Sequence, residues 1–196
     1  MFLFLPKPTE QTIAVIAGIL IASAQVIFLK DVYKKKVRPS LFSWIGWTLL
    51  MGTSLVSQIM NVGWQWSLAG LLLSTIGCIL IFFTSLGLNQ YLLKKSDWKF
   101  LALGLICLMI YLFSKDPWVT TVFAILADFL VGIPTIENGY RKPETQKTIA
   151  WTLGLISWSF SLVICIGHDL LYALFPIYLF LFNGTMVYLT RIKSGS

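Results

Sequence analysis

The stretch KDVYKKKVRPSLFSWIGW (Lys30–Trp47) recurs in weakened form as ENGYRKPETQKTIAWTLG (Glu137–Gly154). A single shift of 107 residues aligns the two copies without a gap. The shift also pairs identical residues inside and outside this block: Tyr33 with Tyr140, Trp44 with Trp151, Ala17 with Ala124, Ser54 with Ser161 and Gly77 with Gly184. Because one constant offset links all of these positions, the chain contains an internal repeat.

Composition places the chain among integral membrane proteins. Hydrophobic residues make up 57% of its 196 residues, only 12% are charged, and the mean hydropathy is +0.81. In a soluble domain about a quarter of all residues are charged. Apolar runs long enough to cross a hydrocarbon core of about 30 Å lie at 11–29, 40–60, 64–88, 99–114, 117–136, 148–167 and 170–190. We therefore predict an all-α polytopic protein of seven transmembrane helices, embedded in a lipid bilayer.

Lysine and arginine are concentrated in loops on one side of the predicted bundle. The loops after spans 1, 3 and 5, together with the C-terminus, contain thirteen of the fifteen: Lys30, Lys34, Lys35, Lys36, Arg38, Lys94, Lys95, Lys99, Arg141, Lys142, Lys147, Arg191 and Lys193. Basic loops remain in the cytoplasm. We expect an outer N-terminus and a cytoplasmic C-terminus in a bacterial inner (plasma) membrane. Attraction to anionic lipid accounts for the net charge of +7, so no nucleic-acid partner is expected.

The repeat offset groups the seven spans into two triplets. Residues 1–92 hold the first triplet and residues 117–196 the second, while span 4, within the linker 93–116, has no counterpart. Since a triplet is an odd number of crossings, one extra crossing lets both triplets start on the same side. We therefore predict parallel repeats related by an axis along the membrane normal. Span 4 contains LALGLICLMIYLF, which has no strongly polar side chain, and is expected at the periphery.

This three-plus-one-plus-three plan resembles the SWEET-like (MtN3) transporters, and the basic, proline-containing loop resembles that of the related PQ-loop proteins. The motif match is partial, because Pro134–Thr135 stands where the family has Pro–Gln, and Ile27–Phe28 stands at the matching place in the first repeat, two residues after Gln25. The resemblance implies a transporter that moves a small polar solute, sugar-like or another small metabolite, by alternating access. Both halves lie in one chain, so a monomer suffices.

The sequence offers no catalytic pattern. Cys78, Cys107 and Cys165 lie in three different spans without metal-ligand spacing, and His168 falls in an outer loop. We find no nucleophile–base pair and no glycine-rich phosphate loop, so we expect neither an enzyme nor a bound cofactor or metal. The alternative to transport is a non-transporting seven-helix receptor, or an accessory or sorting protein on the same scaffold.

Asp128 is the sharpest candidate for function. It is the only carboxylate in any of the apolar runs, and it lies near the middle of span 5. Placing a charged Asp at the bilayer centre costs roughly 2.5–3.5 kcal/mol on insertion scales, so the side chain must face the bundle interior or be protonated. We interpret it as a proton-coupling or cation-binding carboxylate. The structural alternative is a hydrogen bond to a neighbouring helix that stabilises packing.

Asn183 in span 7 is the second candidate, as a ligand of the solute. The resemblance implies this role, since SWEET-type proteins use an Asn on the third helix of each repeat to hydrogen-bond substrate hydroxyls. Its mate in the first repeat is Ile76, so Thr75 or Ser74 is expected to substitute there. The structural alternative is an Asn that hydrogen-bonds a neighbouring helix.

The tryptophans Trp44, Trp151 and Trp158 lie at two predicted depths in the membrane, near the middle of a span or near its end. Trp158 reaches the middle of span 6, which is too deep for the interfacial aromatic belt; it either stacks on a ring of the solute or packs in the core. Trp44 and Trp151 lie near the cytoplasmic ends of spans 2 and 6, where we favour the belt. Late in span 5, Pro134 removes a helical hydrogen bond next to Gly132, and we predict a hinge at these two residues.

The charge distribution generates a topological prediction. In a background without the three native cysteines, Lys34→Cys and Lys142→Cys are expected to react with a membrane-impermeant maleimide only after the cells are permeabilised, since both loops are expected in the cytoplasm. Lys115→Cys, in a predicted outer loop, serves as the control and should react in intact cells. Labelling of either basic loop from outside would contradict the orientation and the parallel repeat.

Overall fold

The computed structural model describes residues 6–63 and 69–192, and this part of the chain is all-helical. Its α-helices are α1 (Lys7–Tyr33), α2 (Leu41–Val62), α3 (Ala69–Gly87), α4 (Trp98–Phe113), α5 (Pro117–Arg141), α6 (Ala150–Ile164) and α7 (Leu170–Val187). Short 3₁₀ helices at Lys95–Asp97 and Pro143–Gln146 precede α4 and α6, and a π-helical turn, Tyr188–Ile192, continues α7. The all-α class is confirmed. Lys193 and the first five residues of the third predicted run lie outside the described residues.

The described helices are suited to a membrane. Four segments are long and apolar enough to cross one: Lys7–Tyr33, Lys95–Phe113, Pro117–Arg141 and Leu170–Ile192. The apolar helices Leu71–Gly87 and Ala150–Ile164 are shorter. Large apolar side chains such as Val26, Leu103 and Leu181 are exposed on the outer surface. Soluble monomers rarely expose so much contiguous apolar surface, so the structure is compatible with an integral membrane protein.

Local sequence signals set several helix ends. Asp116 caps α5, because its carboxylate accepts hydrogen bonds from the backbone N–H of Trp118 (2.8 Å) and Val119 (3.0 Å), and Pro117 follows at the first helical position. Asp169 caps α7 in the same way through Leu171 N (2.8 Å). These caps fix the residues at which α5 and α7 begin.

The helices pack in two groups of three with the same internal order. In the first group α3 contacts both α1 and α2, and in the second α7 contacts both α5 and α6. The groups meet along two seams, where α1 packs on α6 and α2 packs on α5. Helix α4 packs against α5 and α2, and it buries Gly104 and Leu108 in doing so.

The loops 34–40, 88–97 and 142–149 meet at one end of the bundle. The joining contacts are Arg38 N to Thr145 O (2.8 Å), Leu41 N to Leu92 O (3.0 Å) and Lys94 Nζ to Glu137 Oε1 (2.7 Å). We call this the basic end, because these loops carry most of the lysine and arginine of the chain. At the opposite end, His168 Nε2 lies 3.4 Å from Glu10 Oε1 and joins the α6–α7 loop to the start of α1.

Two glycines allow α5 to approach both α2 and α4. Gly46 of α2 and Gly104 of α4 each face the side chain of Val131 on α5. A Cβ atom added at Gly46 would lie 2.7 Å from Val131 Cγ1, and one at Gly104 would lie 2.6 Å from the same atom. Small residues at such positions let helix backbones pack closely inside membranes.

A matched pair of glycine substitutions tests this packing. Gly46→Ala should lower the free energy of unfolding, since forcing a methyl group into a filled core typically costs about 1–3 kcal/mol. Gly18→Ala on α1 is the control, because no atom lies within 4 Å of its added Cβ, and it should gain about 0.5–1 kcal/mol of helix propensity. Thermal unfolding in one detergent measures both. Equal melting temperatures for the two variants would contradict the close α2–α5 contact.

Candidate functional site

A cavity of about 130 Å³ lies between the two groups of helices. Its lining comes from α1, α2, α3, α5, α6 and α7, and no α4 residue among those described contributes. An engineered protein cavity of about 150 Å³ holds one benzene molecule. The cavity is therefore of a size to hold a single small ring or head group.

Five aromatic rings form a closed circuit along the cavity wall. The centroid distances are 4.7 Å for Phe28–Trp44, 5.2 Å for Trp44–Trp47, 5.8 Å for Trp47–Phe182, 6.2 Å for Phe182–Trp151 and 5.5 Å for Trp151–Phe28. Neighbouring rings are tilted or nearly perpendicular, a favourable geometry for aromatic pairs. We call these five residues the aromatic box. They belong to α1, α2, α6 and α7, so the box bridges both groups of helices.

The box corrects the interpretation of two tryptophans. Trp44 and Trp151 are only 6% and 8% exposed and line the cavity, whereas an interfacial belt requires exposure to lipid head groups. Both lie in the first turn or so of their helices, as predicted, but on the inner face. The lining positions are also equivalent in the repeat, since Trp44, Trp47 and Met51 of α2 correspond to Trp151, Gly154 and Trp158 of α6. This shared spacing of three and seven residues, which marks one helix face, is the signal that could have identified them.

The position of Asp128 is compatible with both roles that the sequence left open. Its side chain lines the cavity, while Oδ2 accepts a hydrogen bond of 2.6 Å from the hydroxyl of Tyr178 on α7. The indole of Trp47 on α2 makes a second hydrogen-bonding contact with the same carboxylate. The carboxylate therefore links three helices and still faces the cavity.

In the described part of the chain, no basic side chain lines a cavity next to this carboxylate. Asp128 also borders a smaller cavity of about 50 Å³, together with Ser54, Tyr111 and Phe175. Among the described residues, neither cavity is lined by Lys, Arg or His, and no group of three or more His, Cys, Asp or Glu side chains is arranged to hold a metal ion. Asp128 is thus a buried acidic group that no Lys, Arg or His among the described residues faces in either cavity.

Two carboxamides face the cavity from different helices. Gln25 of α1 packs on Gly77 of α3, and its Nε2 lies 3.4 Å from the backbone oxygen of Ser74. Asn183 of α7 packs with its Oδ1 on Gly154 of α6, while its Nδ2 donates to a backbone oxygen one turn earlier (2.8 Å). Gln25 was not predicted as a ligand. Gln25 is a long polar side chain within an apolar run, and Gly77, which is a glycine in both repeats, leaves space for it. This combination could have identified Gln25.

The structure brings most of the predicted ligands together. Asn183, Trp158, Ser74 and Asp128 all line the larger cavity. Thr75 does not, and its hydroxyl donates instead to the backbone oxygen of Leu71 on its own helix (2.8 Å). Thr75 lies about 100° around the helix from Ser74 and is turned away from the cavity, so the choice of Thr75 is corrected.

The two predicted hinge residues lie inside a continuous helix. Pro134 and Gly132 are buried in α5, and the helix runs through both. Gly132 receives the ring of Phe182, since an added Cβ would lie 2.6 Å from Phe182 Cε2. The glycine therefore serves the close contact between α5 and α7. A hinge at Pro134 stays a prediction.

Comparison of the chain with protein-family models, curated proteins and solved structures finds no match. The geometry of the cavity and the internal repeat are therefore the features that bear on function.

The Asp128–Tyr178 hydrogen bond generates a prediction for stability. Asp128→Leu should lower the free energy of unfolding by the worth of an interhelical hydrogen bond, about 0.6 kcal/mol on average and up to about 1.7 kcal/mol, while Asp128→Asn retains an acceptor for Tyr178 and should cost less. A double-mutant cycle with Tyr178→Phe isolates the pairwise free energy. Additive effects of Asp128→Leu and Tyr178→Phe would show that the two side chains are not coupled.

Proposed function

We propose that this protein is a membrane transporter that moves a small solute by alternating access, with the cavity as the binding site. The observation that carries the proposal is the place of the cavity: six helices from two groups of the same internal order line it, and α4 does not. A binding site between two repeats is the arrangement expected of a transporter.

The contacts between the groups support a parallel repeat. Arg38 and Thr145 are 107 residues apart, and Arg38 N donates to Thr145 O (2.8 Å). In a two-fold arrangement a residue meets its own mate only close to the axis. The two seams are also equivalent, because the offset converts the contact of α1 with α6 into the contact of α5 with α2.

On this basis we propose the SWEET-like and PQ-loop plan for the chain, with seven membrane spans, an outer N-terminus and a cytoplasmic basic end in a bacterial plasma membrane. Helices α2, α3 and α6 are not among the four segments that are long and apolar enough to cross a membrane, and the seven-span plan requires them to cross as well. Asp128 is the proposed proton-binding group of the transport cycle, because it is the acidic side chain that faces the cavity.

The contacts at the basic end would form the cytoplasmic gate of such a transporter. Beside the Arg38–Thr145 bond, Gln146 Nε2 donates to Arg38 O (2.6 Å) and Thr148 Oγ1 donates to Asp31 Oδ2 (2.7 Å). Each bond joins one group of helices to the other. Inward opening requires these few polar bonds to break, and water from the cytoplasm can replace them.

A substitution that fills the cavity tests the proposal against the receptor alternative. Purified protein in proteoliposomes is screened for counterflow with a panel of sugars, amino acids, nucleosides, vitamins and small amines. Ile21→Trp places a large ring in the cavity, which Ile21 lines, and should abolish counterflow of the solute that is transported.

Ile19→Trp is the matched control, since Ile19 lies on the same helix and is 62% exposed on the outer surface. It should leave counterflow unchanged. Solutes that raise the melting temperature of the protein without any counterflow would contradict transport and favour a receptor.

A further inference from the structure

We propose that the cavity binds a small organic monocation, such as a quaternary or primary amine, and that this cation exchanges with a proton at Asp128. The inference rests on the proposed function and names the substrate class of the same site. It has three foundations: the lone carboxylate, the aromatic box and the small number of neutral polar groups.

The first foundation is uncompensated negative charge. Asp128 is 4% exposed, and no described Lys, Arg or His lines either of the cavities that it borders. Its hydrogen bonds from Tyr178 (2.6 Å) and Trp47 come from neutral donors. A buried carboxylate is costly unless it meets a positive charge. The described lining residues do not supply that charge, so a cationic ligand or a proton must.

The second foundation is the aromatic wall next to this carboxylate. The aromatic box and Trp158 supply six rings to a cavity that is only about 130 Å³ in volume, so a bound cation lies close to several ring faces. Cations within about 6 Å of a ring centroid are attracted by its quadrupole, and cages of this kind recognise quaternary ammonium groups. Trp47 belongs to the box and also contacts Asp128, so the rings and the charge form one site.

The third foundation is the small number of neutral polar side chains that line the cavity. Gln25, Ser74 and Asn183 are its neutral polar side chains apart from the indoles, and Asn183 Nδ2 is already engaged within α7. A sugar presents several hydroxyl groups, each of which is costly to bury without a partner. Three side chains suffice for one hydroxyl or carbonyl group on a cation, but they are too few for a sugar ring. The site therefore favours an organic cation over the sugar that the family resemblance implies.

Exchange with a proton follows from the surroundings of Asp128. The titratable side chains that face it are Tyr178 of α7, Cys78 of α3 and, across the smaller cavity, Tyr111 of α4. None of them carries a positive charge. A proton and a cationic ligand therefore compete for one carboxylate, and each displaces the other, which couples their binding with opposite sign.

The position of Asp128 suits such an exchange. It borders the larger cavity, whose aromatic box lies toward the basic end. It also borders the smaller cavity, which is lined by Ser54 and Phe175 from the halves of α2 and α7 that lie farther from the basic end. The carboxylate therefore lies where the two cavities adjoin.

Paired probes of equal shape test the charge requirement. The purified full-length protein is titrated with choline and with 3,3-dimethylbutan-1-ol, its neutral isostere, and with tetramethylammonium and ethanolamine, while tryptophan fluorescence and calorimetry report binding. We expect at least one of the three cations to bind. Choline should bind at least about tenfold more tightly than the neutral isostere. Binding should weaken as the pH falls, because a protonated carboxyl group no longer attracts the cation.

Two variants distinguish the carboxylate in the cavity from negative charge elsewhere. Asp128→Asn should bring the ratio of the dissociation constants of the isostere and choline to about one, and it should remove the pH dependence of choline binding. Asp116→Asn, the same change at the exposed cap of α5, should preserve both, because Asn also caps helices well. Thermal unfolding of each variant confirms that it is folded, and the pH dependence of the wild-type protein provides a readout that needs no variant.

The inference is overturned if none of the three cations binds, if the neutral isostere binds as well as choline, or if Asp128→Asn keeps the preference. Failure of the inference differs from failure of transport. Counterflow of a neutral solute without cation binding would contradict the proposed substrate class but support transport. Cation binding without any counterflow would contradict transport but support a cation-binding site.

Discussion

The contact between the loops 34–40 and 142–149 is the interaction on which the arrangement of the two halves depends. Arg38 N donates to Thr145 O across it, Gln146 Nε2 donates to Arg38 O, and Gln146 is fully buried there. The backbone oxygen of Gln146 also accepts a hydrogen bond from Trp151 Nε1 (3.0 Å). The loop contact thus sets the start of α6 against the end of α1, where Trp151 meets Phe28. Without this alignment the aromatic box would not close.

The buried carboxylate explains why this bundle contains a cavity with a defined chemistry. Asp128 is only 4% exposed, and the hydroxyl of Tyr178 and the indole of Trp47 stabilise its carboxylate. These neutral donors satisfy part of its hydrogen-bonding capacity and leave its charge unbalanced. A site of this kind gains most from a ligand that brings a positive charge and an apolar body, which the surrounding rings can cover.

The sequence was sufficient to predict the helices and much of the site, and the reasons for the errors are physical. The offset of 107 residues marked Trp44 and Trp151 as equivalent, and the cost of a charge in hydrocarbon identified Asp128. The rotation of each helix was not predictable, because the lipid-facing and buried faces are both apolar here and the sequence pattern does not distinguish them. This is why Thr75 was chosen with Ser74 and why the two tryptophans were assigned to the lipid interface. Gln25 was missed because its role depends on Gly77 of another helix.

Alternating access around the cavity requires the basic end to open, and a distance measurement tests this most directly. Lys36→Cys and Glu144→Cys place spin labels on exposed positions of the two joined loops, in a background without native cysteines, for double electron–electron resonance in proteoliposomes. Alternating access predicts a short distance that matches the closed contact and a second, longer distance, with populations that shift when choline is added or the pH is lowered. A single short distance under all of these conditions would contradict it.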